Sequence, residues 1–211
     1  MPSTPEHKES LVSSANSLTV DDLGSAAQRD RRKRILDATY ELAREGGFDA
    51  VQMRAVADKA EVALGTLYRY FPSKIHLLVS ALASEFEHAE AAFRDKPIPG
   101  DTSSERVIFV LKKTTRGLQG DPHLTEALTR AFMFADASVA NEIHSVGMLL
   151  SSMLTQAMHP GATELTADDV AIARVIGDVW LSALVAWVTG RSTAAETGAH
   201  MENAVRLLLR D

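Results

Sequence analysis

Apolar residues recur at intervals of three and four positions along most of the chain, which is the spacing of one face of an α-helix. In the first such run, Ile35, Ala38 and Leu42 fall on one face, and Gly46-Gly47 supplies a stop. Two short runs follow, at about 51–60 and 63–70, and a long run extends from about 73 to 94. The first half of the chain is therefore predicted to form four helices.

The segment DKPIPGD, residues 95–101, interrupts this pattern, because two prolines and a glycine disfavour a continuous helix. Five more helices are predicted beyond it, at about 102–119, 121–135, 138–158, 166–189 and 192–210. Thr102-x-x-Glu105 and Thr193-x-x-Glu196 have the spacing of capping boxes at two of the helix starts. No convincing strand pattern is found, so the predicted fold class is all-α with nine helices.

The predicted helix at 167–189 is apolar on nearly every side after its first turn. A helix of this kind has to be covered all round. In a chain of 211 residues a second copy of the protein covers the outer face most simply, so a homodimer is expected. The alternative is a helix at the centre of a single bundle. The residues predicted to form the dimer interface are Val179, Ala183, Trp187 and Val205.

The composition fits a helical protein of one large or two small domains. Hydrophobic residues make up 45% of the chain and aromatic residues 6%, which favours Ala/Leu-rich helices over a β-sandwich or barrel. The absence of cysteine excludes disulfides and thiolate chemistry. Neither an apolar run as long as a membrane span nor a signal-peptide pattern is recognised, so a cytoplasmic protein without membrane contact is expected. Residues 1–28 are predicted to be a disordered tail.

The net charge of −6 is unevenly distributed. Lys and Arg outnumber Asp and Glu between residues 29 and 80, whereas the segments before and after are acidic. A basic segment on an acidic body is typical of a protein that meets a polyanion at one end, although a chance surface fluctuation gives the same pattern. The basic cluster RDRRKR, residues 29–34, is either an arm that reaches DNA or a solvated first helical turn.

Residues 51–71 have the pattern of two short helices joined by a tight turn. Val56, Ala57, Val62, Leu67 and Phe71 would form the small core between them, and the small Ala57 allows the close crossing of a helix-turn-helix. The opposite side of the second helix then carries hydroxyl groups and cations, which suit phosphate oxygens and base edges. The residues predicted to bind double-stranded DNA are Gln52, Arg54, Leu64, Gly65, Thr66, Tyr68, Arg69, Tyr70 and Lys74.

The segment 35–78 resembles the DNA-binding domain of TetR-family repressors. The residues that carry the resemblance are Val56-Ala57, Val62, Gly65-Thr66-Leu67-Tyr68, Phe71, Ser73-Lys74 and Leu77-Leu78. The resemblance implies a homodimer on an inverted-repeat operator, released when a small molecule binds the C-terminal domain. Within the family, residues 29–211 are most similar to actinobacterial repressors of cholesterol catabolism, which implies a steroid acid or its coenzyme A thioester as the inducer.

The chain departs from the family pattern at Gln52, Glu61, Ala63 and Leu64, where Thr, Gly, Ser and a cation are common. Glu61 would lie where a positive φ is often needed, and Ala63 cannot cap the recognition helix. Leu64 can instead touch a thymine methyl group. These departures concern the fine DNA contacts rather than the fold.

Two cations near this segment are assigned different roles. Arg54 matches a position where the family can place a base-reading arginine, with a phosphate contact as the alternative. Lys74 lies at a helix start, beside free backbone N–H groups, and is expected to meet phosphate.

The chain is accordingly divided into the tail, a DNA-binding domain at 29–72 and a ligand-binding and dimerisation domain at 73–211. Met and Phe side chains in the last part adapt to irregular apolar shapes, so they either line a pocket for a lipophilic molecule or fill a core. The predicted ligand-binding residues are Phe109, Phe132, Met133, Met148, Met153 and Trp180.

An enzymatic function is not indicated, because the sequence has no nucleophile elbow, P-loop or H-E-x-x-H motif. Glu85-x-x-His88 has the spacing found in di-iron bundles, but these need a second such motif, so no metal and no cofactor are predicted. Two alternatives to a steroid-responsive repressor stay open. One is a repressor that answers to a fatty acyl-CoA or a drug-like compound, and the other is an architectural DNA binder without ligand control.

Overall fold

The structure, a computed structural model, describes residues 20–94, 96–162 and 164–210. Within these ranges the chain forms nine α-helices, one 3₁₀ turn at Ala137–Val139 and no strand, so the predicted all-α class is confirmed. The helices are α1 (Val20–Ala50), α2 (Met53–Lys59), α3 (Leu64–Tyr70), α4 (Lys74–Arg94), α5 (Ser103–Gln119), α6 (Pro122–Met133), α7 (Ala140–Met158), α8 (Ala167–Val188) and α9 (Ala194–Leu208).

The first helix differs from its predicted bounds at both ends. It begins at Val20, so the prediction of a disordered tail is wrong for residues 20–28, while the rest of that tail lies outside the described residues. The segment 20–28 has no proline to stop a helix and no apolar period to reveal one. Gly46 and Gly47 interrupt α1 as a kink, with φ of 66° at Gly47, and the helix resumes to Ala50.

Side-chain caps fix the starts of several helices in the body. The capping boxes predicted at Thr102 and Thr193 are both formed, each with its threonine accepting from the backbone N–H three residues on. Thr166 and Asp169 form a third at the start of α8. Each reciprocal pair satisfies donors that a helix N-terminus otherwise leaves unbonded.

The helices pack as a small N-terminal unit on a larger body. Helix α2 contacts both α1 and α3, and α5 to α9 form the body together with α4. Helix α4 joins the two parts, since the Tyr40 hydroxyl of α1 donates to the Ala81 carbonyl of α4 at 2.8 Å. Helix α1 also packs along α6. The predicted domain boundary between residues 72 and 73 stays a prediction.

Helix α8 is covered on one side by its own chain. By length and composition alone, it is the one helix in the described part of the chain that is long and apolar enough to cross a membrane. It nevertheless packs against α6, α7 and α9. Only 28% of its most apolar stretch is buried inside the chain. The remaining apolar surface favours an outer helix that a partner covers over a helix at the centre of one bundle.

The residues on the uncovered side differ from those predicted. Ala183 and Val205 are buried inside their own chain, so neither is available to a partner, and this corrects their assignment to a dimer interface. Trp187 is half-buried and packs against the chain's own core. Val179 is half-buried, and Val175, on the same side of α8, is 45% exposed. Leu207 on the neighbouring α9 is 68% exposed.

Candidate DNA-binding surface and ligand cavity

The helix-turn-helix is built around the predicted small core. Val56, Ala57, Leu67 and Phe71 are buried, and Val62 is half-buried against them. The turn between the two helices is held from outside as well. Arg34 of α1 donates from its guanidinium to the Ala60 carbonyl at 2.6 Å, which satisfies an acceptor at the end of α2.

The side of α3 opposite Leu67 is open to solvent. Leu64, Gly65, Tyr68 and Arg69 are exposed, with Tyr68 at 46%. Beyond its own helical turn, no atom lies within 4 Å of the point where a Cβ at residue 65 would stand, so the backbone there is accessible to a large partner. The half-buried residues Thr66 and Tyr70 lie on the flanks, and Gln52 and Arg54 are exposed at the start of α2. Eight of the nine predicted DNA-binding residues thus lie on α3 or at the start of α2, and the ninth, Lys74, begins α4.

Three of the departures from the family pattern have visible consequences. Glu61 adopts a φ of 53°, the one positive φ at a non-glycine residue in the described part of the chain. This conformation costs a residue with a Cβ roughly 1–2 kcal/mol. Ala63 occupies the N-cap of α3 without a side-chain hydrogen bond. Gln52 turns its amide back to the Asp49 carbonyl at 2.8 Å instead of capping α2.

Lys74 has a neighbour that the sequence did not indicate. Its Nζ atom lies 3.8 Å from the centre of the Phe48 ring. Burial lowers the pKa of the ammonium group; Asp49 opposes this shift, and Arg130 adds to it. The phosphate contact assigned to Lys74 stays a prediction, and the side chain that would make it is packed against the end of α1.

The basic cluster RDRRKR lies within α1, neither on a free arm nor in a first turn. Arg34 is used at the end of α2, and Lys33 pairs with Asp37 at 2.6 Å. The Arg32 guanidinium lies 5.9 Å from the centre of the Phe71 ring, beside the end of α3. The cluster therefore flanks α2 and α3.

A cavity of about 450 Å³ lies in the body, between α4, α5, α6, α7 and α8. Of the residues predicted to bind a ligand, Phe132, Met148 and Trp180 line it. The other three do not line this cavity, and their assignment to a ligand site stays a prediction. Phe109 and Met133 are exposed and do not line this cavity, and Met153 is buried in the core. The apolar walls are completed by Leu82, Phe86, Leu118, Leu128, Ile143, Val146, Leu150, Val170, Ala173, Leu181 and Leu184.

The Trp180 indole is fixed as a wall of this cavity. Its N–H donates to the Thr115 hydroxyl at 2.8 Å, so a buried polar group is satisfied. Its ring meets Phe86 edge-on, with the ring centres 5.8 Å apart. This geometry is the favourable edge-to-face arrangement of two aromatic rings.

The cavity also has polar lining residues that the sequence reasoning missed. His144 on α7 contributes an imidazole, and Arg174 and Asp178 on α8 contribute a guanidinium and a carboxylate; all three residues are exposed. Arg174 forms no salt bridge with any residue in the described part of the chain. One signal was available, because Arg174 is the single cation in α8, a helix of mainly apolar residues.

Comparison with known proteins identifies the family. Residues 35–81 match the family described as bacterial regulatory proteins, tetR family, and residues 100–208 match the tetracyclin repressor-like C-terminal domain. The HTH-type transcriptional repressor KstR of Rhodococcus jostii is 56% identical over 208 residues, which cover 99% of this chain and 96% of the relative. KstR of Mycobacterium tuberculosis is 52% identical over 209 residues, covering 99% and 94%.

Solved structures share the fold. A TetR transcriptional regulator from Rhodococcus sp. RHA1 gives a TM-score of 0.81 at 30% identity, with 88% of this chain and 98% of that one covered. FadR of Thermus thermophilus, solved in complex with lauroyl-CoA, gives a TM-score of 0.67 at 21% identity, with 84% and 93% covered. TetR repressors bind DNA as dimers and respond to small-molecule ligands, and they are not enzymes. Matched in both halves and along nearly its whole length, this chain belongs to the TetR family of transcriptional repressors.

Proposed function

We propose that the protein is a homodimeric repressor of sterol catabolism genes, released from an inverted-repeat operator by a steroid acid or its coenzyme A thioester. The high identity to KstR repressors supports the gene class. The observation that carries the ligand class is the cavity between α4, α5, α6, α7 and α8. As a DNA-binding regulator, the protein acts in the cytoplasm.

The cavity suits a bulky apolar molecule with one acidic end. Its volume of about 450 Å³ lies within the range of small-molecule sites, and its walls are mainly apolar. Arg174 of α8 contributes a guanidinium and His144 of α7 an imidazole to the lining. Since Arg174 has no salt bridge with a described residue, its guanidinium is available for a carboxylate or a phosphate. Asp178, one turn away, competes for it and disfavours a dianion at that point.

The open side of α8 and α9 supports the homodimer. Val175, Val179, Ser182 and Ala186 follow one another at helical spacing on this side, and none is buried by the chain itself. Leu207 extends the apolar surface onto α9. A second copy that covers both helices would remove this surface from water. The two reading heads would then meet successive half-sites on one side of the duplex.

A titration of operator binding tests the ligand. The operator is selected from genomic fragments by the purified protein, and gel shifts are run with a cholesterol-derived carboxylic acid, its CoA thioester and stearoyl-CoA. We expect the two steroid ligands to weaken operator binding and stearoyl-CoA to leave it unchanged. Release by stearoyl-CoA alone would favour the alternative in which the inducer is a fatty acyl-CoA. The T. thermophilus protein, which shares this fold, was solved in complex with such a ligand, lauroyl-CoA.

A matched pair of variants tests whether the cavity is the site. Gly147 lines the cavity, and a Cβ there would meet no atom beyond its own helical turn within 4 Å, so the side chain of Gly147→Leu begins in open space beside the other lining residues. Ser145→Leu, on the same helix outside the lining, is the control. We expect Gly147→Leu to keep operator affinity and lose the response to the steroid acid. Equal responses of the two variants would move the site elsewhere.

A further inference from the structure

Two sides of helix α6 contact different parts of the molecule. Thr125, Leu128, Thr129 and Phe132 line the cavity. The opposite side carries Glu126 and Arg130, which contact the end of α1. A rigid helix with one side in the ligand cavity and the other on the DNA-reading unit can carry a displacement from one to the other.

Glu126 is fitted to the kink in α1. Its Oε2 atom accepts the Phe48 backbone N–H at 2.8 Å. A Cβ on Gly47 would lie 2.6 Å from the same oxygen, and the φ of 66° at Gly47 independently favours glycine. The carboxylate therefore occupies the space that a side chain at residue 47 would need, and the amide that the kink frees has a partner.

Arg130 and Lys74 hold the next residue from two helices. The Arg130 guanidinium lies 4.5 Å from the centre of the Phe48 ring, and the Lys74 ammonium lies 3.8 Å from it. Arg130 also pairs with Asp49 and with Glu126, each at 3.4 Å. Phe48 is thus held by cations from α4 and α6 immediately before the helix-turn-helix begins. A further pair, Arg44 with Asp121 at 2.7 Å, joins α1 to the residue before α6.

We propose that Glu126 and Arg130 are positioning residues that set the orientation of the DNA-reading helices relative to the body. Occupancy of the cavity displaces α6, and α6 moves the kink at Gly46-Gly47 through these two side chains. The ligand-dependent part of this inference rests on the proposed function. The positioning part does not, because it concerns contacts present without ligand.

Spin-label distances test the positioning role without any ligand. The chain has no cysteine, so Asp58→Cys on the exposed side of α2 gives one label per copy and one distance between the reading heads of a dimer. Glu126→Ala is compared with Glu202→Ala, whose carboxylate is similarly accessible and also forms an ion pair, with Lys112 at 2.7 Å, but lies on α9. We expect Glu126→Ala to broaden the distance distribution and Glu202→Ala to leave it narrow.

Operator binding and rescue complete the test. We expect Glu126→Ala to lose about tenfold or more in operator affinity, since a bond between a charged group and an amide is broken. Glu126→Gln keeps an acceptor for Phe48 N–H and should recover part of that loss. The proposal would be overturned if Glu126→Ala has the melting temperature of the wild type and also matches Glu202→Ala in both distance distribution and operator affinity. Absence of release by every steroid and acyl probe would instead reject the proposed function, with the distance result unaffected.

Discussion

Apolar residues serve different purposes in the DNA-reading unit and in the ligand-binding body. In α2 and α3, two helices of seven residues each bury Val56, Ala57 and Leu67 to present an outer polar surface. In the body, long helices surround a space that they leave unfilled. The reading surface follows from short-range spacing on one helix. The cavity follows from side chains on five helices that stop short of one another, and no single helix encodes it.

The largest effect is expected from a substitution on the α8 surface that joins the two copies of the proposed dimer. Val175→Glu places a carboxylate on the open side of α8, where the separate chain tolerates it because the residue is 45% exposed. In a dimer the charge would be buried without a partner. We expect monomers in sedimentation experiments and a loss in operator affinity on the order of 10²–10⁴, because the second half-site no longer binds as part of the same molecule.

Leu165→Glu is the control for this change, since Leu165 is also 45% exposed but precedes α8. It should sediment as the wild type does. If Val175→Glu also remains a dimer, the interface lies on another side of the body.

The second substitution is expected to destabilise the helix-turn-helix without destabilising the body. Leu67 is fully buried at the centre of the helix-turn-helix, and Leu67→Ala should cost about 2–5 kcal/mol there. We expect faster amide exchange across α2 and α3 and loss of operator binding, with exchange in α7 and α8 unchanged. Leu64→Ala, on the exposed side of the same helix, is the control and should leave exchange as it is. Equal acceleration in α7 and α8 would show that the two regions unfold as one unit.

The third effect sharpens the reading surface itself. Arg54→Ala should relax base preference at one position in each half-site, with a loss of ~1–3 kcal/mol on the preferred base. Lys74→Ala should weaken all sequences alike and lower the salt dependence of binding. Gel shifts with single-base operator variants at several salt concentrations measure both. The same base profile for the two variants would remove Arg54 from base reading.

The smallest effect lies in the body and depends on pH. Hydrogen bonds from the Thr166 side chain and backbone, followed by one from His159, lower the pKa of Asp169 from 3.8 to about 2. The charged form is therefore favoured by folding, so its contribution to the free energy of unfolding is present above pH 4 and is lost as pH falls towards 2. Asp169→Asn should flatten this part of a plot of melting temperature against pH. An unchanged slope would assign the acid sensitivity to other carboxylates.

Much of the fold could be predicted because it depends on local patterns. The helix-turn-helix core, two capping boxes and the succession of nine helices all follow from spacings of three or four residues. The burial of Ala183 and Val205 could not, since it depends on which side of α8 and α9 meets the core. The place of Lys74 depends on Phe48, far away along the chain. Phe132 and Met133 are adjacent, yet one lines the cavity and the other faces solvent.

Trp180, held in place by its hydrogen bond to Thr115, can serve as a fluorescent reporter of the cavity. The protein has two tryptophans, and Trp180 alone lines the space between α4, α5, α6, α7 and α8. Its buried indole should emit at shorter wavelength than the half-buried Trp187. With Trp187 replaced by Phe, the remaining fluorescence comes from one wall of the cavity. Quenching or a spectral shift on adding a ligand would then report occupancy directly, in the absence of DNA and without a chemical dye.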